Sequence, residues 1–544
     1  MPKAISYQDA LNSYTPLEHR DPAVEELSTE ELLKQFHPDY YQDSMVTMQV
    51  GANKGDRCHR QLADMLQSDA RIDEADLAGA PIMQTDILVI GGGGAGCAAA
   101  LVAEKAGARV TLATKLRLGD SNTVMAEGGI QASIEKDDTP QDHYHDTLKA
   151  GHFHGNKQLI ASMASDAPEV IRWLIQQGMQ FDLDRFGDLL LRRAGGTSAN
   201  RVAYYRDYTG LEMMRVLREA VINSNIELLD YSPAVELLSN QDGNCAGAVI
   251  SSLKDRSYML IKAKAVIIAT GGIGRMHLNN FPTSNHFGAT GDGLVLAYRL
   301  GAKMLNLDSF QYHPTGLSYP HHLAGFLITE GIRSAGAYLL NGAGERFVDE
   351  LKTRDHVSSA ILKECAEGRA IQADDDTMGV WLDTPGLEIR SPGILSQRFP
   401  KLVQLSKKCD IDPAKTPLLV YPTLHYQNGG VQIDENGQSS VPGLYCVGEV
   451  SGGIHGRNRI MGNALLDIIC FGRRAGAHAV ANCRRPGHKK ISIEHLSDLR
   501  RSLTIAQMPM ELKGPMLFPE CAKFEDDTDY DGLRRNRRQK APQT

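Results

Sequence analysis

Three glycines at GxGxxG spacing, Gly91, Gly93 and Gly96, stand in the stretch TDILVIGGGGAG that runs from Thr85 to Gly96. That spacing suits the close approach of backbone to a pyrophosphate. The first glycine makes the tight turn, the second admits the phosphates, and the third lets helix and strand pack together. Gly94 and Ala95 add unpaired N–H groups at a helix start, where an anion is stabilised. The elements that must position these residues are legible too. The apolar run before them reads as a buried parallel strand, Cys97 to Ala106 as an Ala-rich helix, and Arg109 to Ala113 as a second strand. Together they make a βαβ unit and point to a bound dinucleotide.

One expected residue is missing. A site for NAD carries Asp or Glu about 20 residues beyond the glycines, on the ribose hydroxyls. Here that place holds Thr114 and Lys115. The substitution weighs against NAD as the tightly held nucleotide and leaves FAD, or another arrangement, open.

The chain has 544 residues, 42% hydrophobic and 23% charged, as expected of a globular protein with two or three domains. A net charge of -8 gives no basic footprint for nucleic acid. The nine cysteines include no CxxC pair and no ferredoxin-type spacing, so the sequence predicts neither a cluster nor another metal site in this chain, and suits a reducing cytoplasm. The N-terminal MPKAISYQDALNSYTPLEH lacks the apolar core of a signal peptide. No run approaches the ~20 apolar residues of a membrane span, so contact with a membrane is expected only through partners.

In outline the sequence predicts an α/β fold. A Rossmann-like nucleotide-binding domain at 81–310 and 426–482 carries an inserted α+β capping domain at 311–425, after an N-terminal extension at 1–80 and before a short C-terminal tail at 483–544. Within the extension, STEELLKQF has a Ser cap with Glu at the third helical position, and RCHRQLADMLQS has an amphipathic period. Such an extension either wraps the main body or docks a second protein, and its length favours docking. The basic end RRNRRQKAPQT reads as a solvated, mobile terminus.

The loop KLRLGDSNTVMAEGGIQAS resembles the flavin loop of the succinate dehydrogenase and fumarate reductase flavoprotein family, which also contains L-aspartate oxidase. The resemblance implies FAD contacts from Ser121, Asn122, Thr123, Gly128 and Gly129. Membrane-bound members carry FAD on a histidine in this loop. The amide of Asn122 cannot form that bond, which implies noncovalent FAD. Further family-like segments are DYTG with Asp207, the strand-ending Ala269, Thr270, Gly271 and Gly272, and Asp292 at a helix start. Glu449 matches the family's glutamate at the FAD ribose. Asn463 and Leu465 open a long buried helix whose N-terminus would face the flavin.

Four dispersed segments in and around the cap, with HGRNR beyond it, resemble the family's substrate site. QYHPTG supplies His313 and Thr315, ITEGIRSAG supplies Thr329, Glu330 and Arg333, KTRDH supplies Arg354, LHYQNGG supplies His425, and HGRNR supplies Arg459. The resemblance implies a dicarboxylate held by Arg459 and His425 at one end and by His313 and Thr329 at the other. Cations and planar donor forks suit that task. Hydride would arrive from flavin N5 and a proton from Arg354, reloaded through Glu330 and Arg333. A desolvated site with a neighbouring cation penalises a guanidinium's charge and so favours the transfer.

Asn122 in place of the flavin-linking histidine favours fumarate reduction over succinate oxidation. L-Aspartate oxidase stands second, because Ala194 occupies the acidic position of the REGGHS-like segment RAGGTS. Another enoate reductase, or a noncatalytic electron-transfer component of a larger complex, completes the alternatives. The family resemblance further implies an iron–sulfur electron-transfer partner. It also implies a cytoplasmic location, at the inner face of a membrane if the chain sits in a complex. Arg457 departs from the small residue that relatives carry in the HGxNR segment.

Overall fold

A computed structural model describes residues 4–19, 27–374, 377–483 and 490–519. In chain order, the elements that carry the site begin with β1 (Ile87–Ile90), α1 (Gly94–Lys105), β2 (Val110–Ala113), β3 (Glu227–Leu229) and β4 (Ala265–Ile268). They continue with β5 (Phe310–Leu317), α2 (Arg354–Ala366), β6 (Leu418–Gln427), β7 (Leu444–Cys446) and α3 (Asn463–Asn482). Strands β3-β2-β1-β4-β7 form one parallel sheet in that order. Its central strands read ILVI and AVII and are buried at every position, as expected when helices cover both faces. Helix α1 meets α3 at close range because both carry small residues. A Cβ at Gly472 would lie 2.7 Å from the Ala95 carbonyl oxygen, and one at Gly476 would lie 2.5 Å from that of Ala99.

A second sheet lies over the first body. β5 runs antiparallel to β6 with His313 opposite Thr423, and the strands Thr377–Asp383, Ile371–Asp374 and Tyr338–Leu340 extend it. Ile328, Ile332, Val357, Ile361, Val380 and Phe399 give this layer its own apolar core.

The N-terminal segment wraps the body. Ile5–Ser6 adds a parallel strand beside Ile371–Gln372. The helix Thr29–Phe36, closed by a capping box at Ser28, lies on α2, where Thr29 Oγ1 stands 3.0 Å from His356 Nδ1. Asp39 accepts the Phe310 N–H at 3.1 and 3.2 Å and so caps the start of β5. These contacts wrap the extension on the main body.

The C-terminal region also differs from the expected tail. Ile491–Ser492 pairs with Ser239–Asn240, His495–Ile505 is helical, and Lys513–Gly514 runs parallel to Asp69–Ala70. The reason is a helical stripe inside a polar sequence: Leu496, Leu499 and Leu503 are buried against Val235, Leu238 and Val249. The basic end RRNRRQKAPQT lies outside the described residues. Among those described, no helix is long and apolar enough to cross a membrane.

Candidate active site

At the end of β1 the chain turns through Gly91, whose φ is +115°. A Cβ there would sit 2.3 Å from the Ala269 carbonyl oxygen, and one at Gly96 would sit 1.8 Å from that of Gly91. These two glycines therefore let the loop press against β4 and let α1 begin directly behind it. The cavity above the loop is continuous: Gly91 to Ala95, Thr114, Lys115, Ala269 to Gly271 and Glu449 line one part, and His313, Arg354, His425 and Arg459 line another.

The nucleotide end fits FAD on observations of the chain itself. Gly271 has φ +73° and would meet nothing with a Cβ, so its backbone lies open to the cavity. Thr270 Oγ1 is buried without a partner. Glu449, at the end of β7, accepts the Gln427 N–H at 3.0 Å, and burial pushes its carboxyl above the usual range. Asn122, in place of a linking histidine, has its amide fully engaged. It donates to Asn285 Oδ1 at 2.6 Å and Glu449 Oε2 at 3.3 Å, and accepts the His286 N–H at 2.6 Å. Lys115 and Asp292 pair at 2.7 Å in the cavity wall.

Several expected residues act from behind the wall. Asp207 accepts the N–H groups of Lys401 and Leu402 at 3.0 and 3.2 Å and so caps a helix of the overlying layer. It joins the two layers through one carboxylate oxygen, and its other oxygen, Oδ1, is buried without a partner. Asn463 is held by His143 and Thr147 at 2.8 and 2.9 Å and fixes the start of α3, while Leu465 faces the cavity. Gly272 gives room for Glu449, whose Oε1 a Cβ would meet at 2.5 Å. Thr315 acts on His313: its N–H donates to Nδ1 at 3.2 Å, which leaves the ring proton on Nε2.

The rings of His313 and His425 stand 5.0 Å apart. Burial, and then the charge of Arg354, hold both imidazoles well below their ordinary pKa, so both are neutral. Arg354 opens α2; its Nε donates to Glu330 Oε2 at 2.8 Å and its Nη1 to Gln311 Oε1 at 3.1 Å. Arg459 Nη2 reaches the same Gln311 oxygen at 2.9 Å, and its guanidinium lies 4.4 Å from the Tyr426 ring centre. Burial and the neighbouring Arg354 pull Arg459 down to about 9, and its Nε has no partner. Arg333 Nη2 donates to Glu330 Oε2 at 3.3 Å, behind Arg354. Burial alone would raise the Glu330 carboxyl, but Arg354 and Arg333 hold it at about 2.

Arg333 and Arg354 thus share the carboxylate of Glu330, and Arg459 stands beside Arg354 with Glu449 further along the same cavity, across neutral histidines. Buried positive charge of this kind suits an anionic ligand. Thr329 caps the short helix that carries Glu330 and Arg333 and presents its side of the cavity.

Four residues here carry no charge signature or lie outside the expected set. Gln311 bridges two arginines, Ser284 Oγ meets His425 Nδ1 at 2.7 Å, and Asn285 anchors Asn122. Glu127 pairs with Lys401 at 2.6 Å. Gln311 could have been noticed beside His313 in QYHPTG; the others have no signal of their own.

The fold and cavity define a flavoprotein. The FAD binding domain family matches residues 86–465. A CoM/CoB fumarate reductase chain of Methanothermobacter marburgensis is 36% identical over 421 residues, covering 75% of each chain. L-Aspartate oxidase of Streptomyces coelicolor is 35% identical over 411 residues, covering 73% of this chain and 68% of its own. Among solved structures, the FrdA chain of Escherichia coli quinol fumarate reductase superposes with a TM-score of 0.70 at 30% identity, over 78% of this chain and 75% of that one. The chain belongs to the FAD-dependent oxidoreductase family of fumarate reductase and succinate dehydrogenase flavoproteins and L-aspartate oxidase.

Proposed function

We propose that this chain reduces fumarate to succinate. The observation that carries the reading is the buried set Arg354, Arg459, His313 and His425 in one cavity with the FAD cradle, backed by Glu330 and Arg333. Arg459 and His425 hold one carboxylate, and His313, through its Nε2 proton, holds the other with Thr329. Polarising the carboxylates makes the double bond electron-poor. Bound FAD, in reduced form, supplies hydride to one alkene carbon. Arg354 gives a proton to the other, and the proton returns from Arg333 through Glu330. The relative identities do not separate fumarate from L-aspartate. Ala194 favours fumarate: it is buried among Ala150, Val202, Ile460 and Met461, where an acid for the substrate ammonium would have to be.

In this reading FAD is noncovalent. Electrons come from a separate iron–sulfur protein, and the complex works in the cytoplasm or on the inner face of a membrane. The domain limits at 80, 310, 425 and 482 belong to the same proposal. The test is an anaerobic assay of the flavin-loaded protein with reduced viologen. Rapid fumarate-dependent oxidation of viologen is expected. L-Aspartate oxidation without fumarate reduction would overturn the reading.

A further inference from the structure

The wall at the nucleotide end of the cavity, at Lys115 and Asp292, is backed by a segment remote in sequence. Leu517 accepts from Lys115 Nζ at 2.5 Å and from Thr290 Oγ1 at 3.2 Å through its carbonyl, and its N–H donates to Asp292 Oδ1 at 3.2 Å. The Phe518 ring lies 5.9 Å from that of Phe287, and Lys115 Nζ sits 5.6 Å from the Phe518 ring centre. Upstream, Lys513–Gly514 pairs with Asp69–Ala70, and Asp69 binds Arg500 and Lys513 at 2.7 and 2.5 Å. Arg71 Nε donates to the Pro515 carbonyl at 2.5 Å.

We propose that residues 513–518 form a strap that completes the FAD site at its nucleotide end and sets the rate at which FAD leaves. Lys115 follows β2, where this fold places the residue that meets the ribose. Its ammonium bonds Asp292 and Thr290 directly, and Leu517 adds a bond to each of the three, so the wall is held more firmly there while Leu517 stays bound. A cofactor without a covalent link is retained through its dissociation rate. Upstream of Leu517 the strap is anchored by a two-residue strand pair and partly exposed ion pairs, which are individually weak. It is therefore a low-stability unit that opens locally without unfolding the sheet. The bonds come from the Leu517 backbone, so the presence of the segment matters more than its side chain at 517.

The experiment compares three flavin-loaded proteins: the full chain, a chain ending at Met516, and Phe518→Ala. FAD release is followed by absorbance after mixing with excess of an apo-flavoprotein trap. Release about tenfold faster from the shortened chain is expected, with Phe518→Ala between the two. Equal rates in all three overturn the strap. Should the shortened chain fail to fold, Phe518→Ala and hydrogen exchange at the Leu517 amide decide. Faster release and greater amide protection on FAD loading are expected, and no change in either overturns the strap. Because the inference rests on FAD as cofactor, a full chain that takes up no FAD overturns that assignment instead.

Discussion

Arg354 and Arg459, two buried guanidinium groups, share one acceptor: Gln311 Oε1 receives Arg354 Nη1 at 3.1 Å and Arg459 Nη2 at 2.9 Å. The Gln311 amide also donates to Asn458 Oδ1 and to the Arg459 carbonyl, so its orientation is fixed from both ends. One neutral side chain thereby holds the proposed proton donor beside the proposed carboxylate anchor.

Gln311→Leu keeps the volume and removes the shared acceptor. Losing charge-assisted bonds in a buried site costs about 2 kcal/mol, so fumarate turnover is expected to fall about 10- to 30-fold with the flavin spectrum unchanged. Steady-state kinetics with reduced viologen reads this directly. Unchanged kcat and KM would remove Gln311 from the site.

Arg354→Ala tests the donor itself. A general acid contributes about 10²- to 10⁴-fold, and a loss of that size in turnover is expected while FAD stays bound. Activity within a few-fold of the parent would assign the proton to another group.

The glycine loop was legible because a pyrophosphate demands small residues at fixed spacing within one strand–turn–helix unit. The arginines and histidines were legible only as a set, through a family resemblance. Gln311 was not, since an uncharged side chain gains its role only when chain folding brings Arg354 and Arg459, 43 and 148 residues away, to one oxygen. The C-terminal helix was hidden by its polar composition, although Leu496, Leu499 and Leu503 mark its buried face. Asp207 shows the same limit from the other side: nothing in the DYTG segment announces the joint its carboxylate makes with Lys401 and Leu402, far along the chain.

The engaged amide of Asn122 makes a concrete statement about the cofactor. Acid precipitation of the native protein is expected to leave all flavin in the supernatant. Flavin retained in the washed pellet would show a covalent link through some other residue. Asn122→Ala removes bonds to Asn285, Glu449 and His286, and is expected to weaken FAD binding about tenfold by flavin titration.

Glu127 gives the pH prediction. Burial raises its carboxyl from 4.5 to about 7, although Lys401 Nζ lies 2.6 Å away and opposes the shift. Between those values the folded protein holds a proton that the unfolded chain has lost, so stability falls as pH rises through about 4.5 to 7 and is flat above. Glu127→Gln imitates the protonated form at every pH. It is expected to melt with the parent at pH 5 and to exceed it at pH 8 by about 1–3 kcal/mol, the lower figure if the lost Lys401 pair counts fully. Thermal melts of both proteins across that range decide the matter. A variant less stable than its parent at pH 8 would mean that the ionised carboxylate is a net stabilising partner of Lys401.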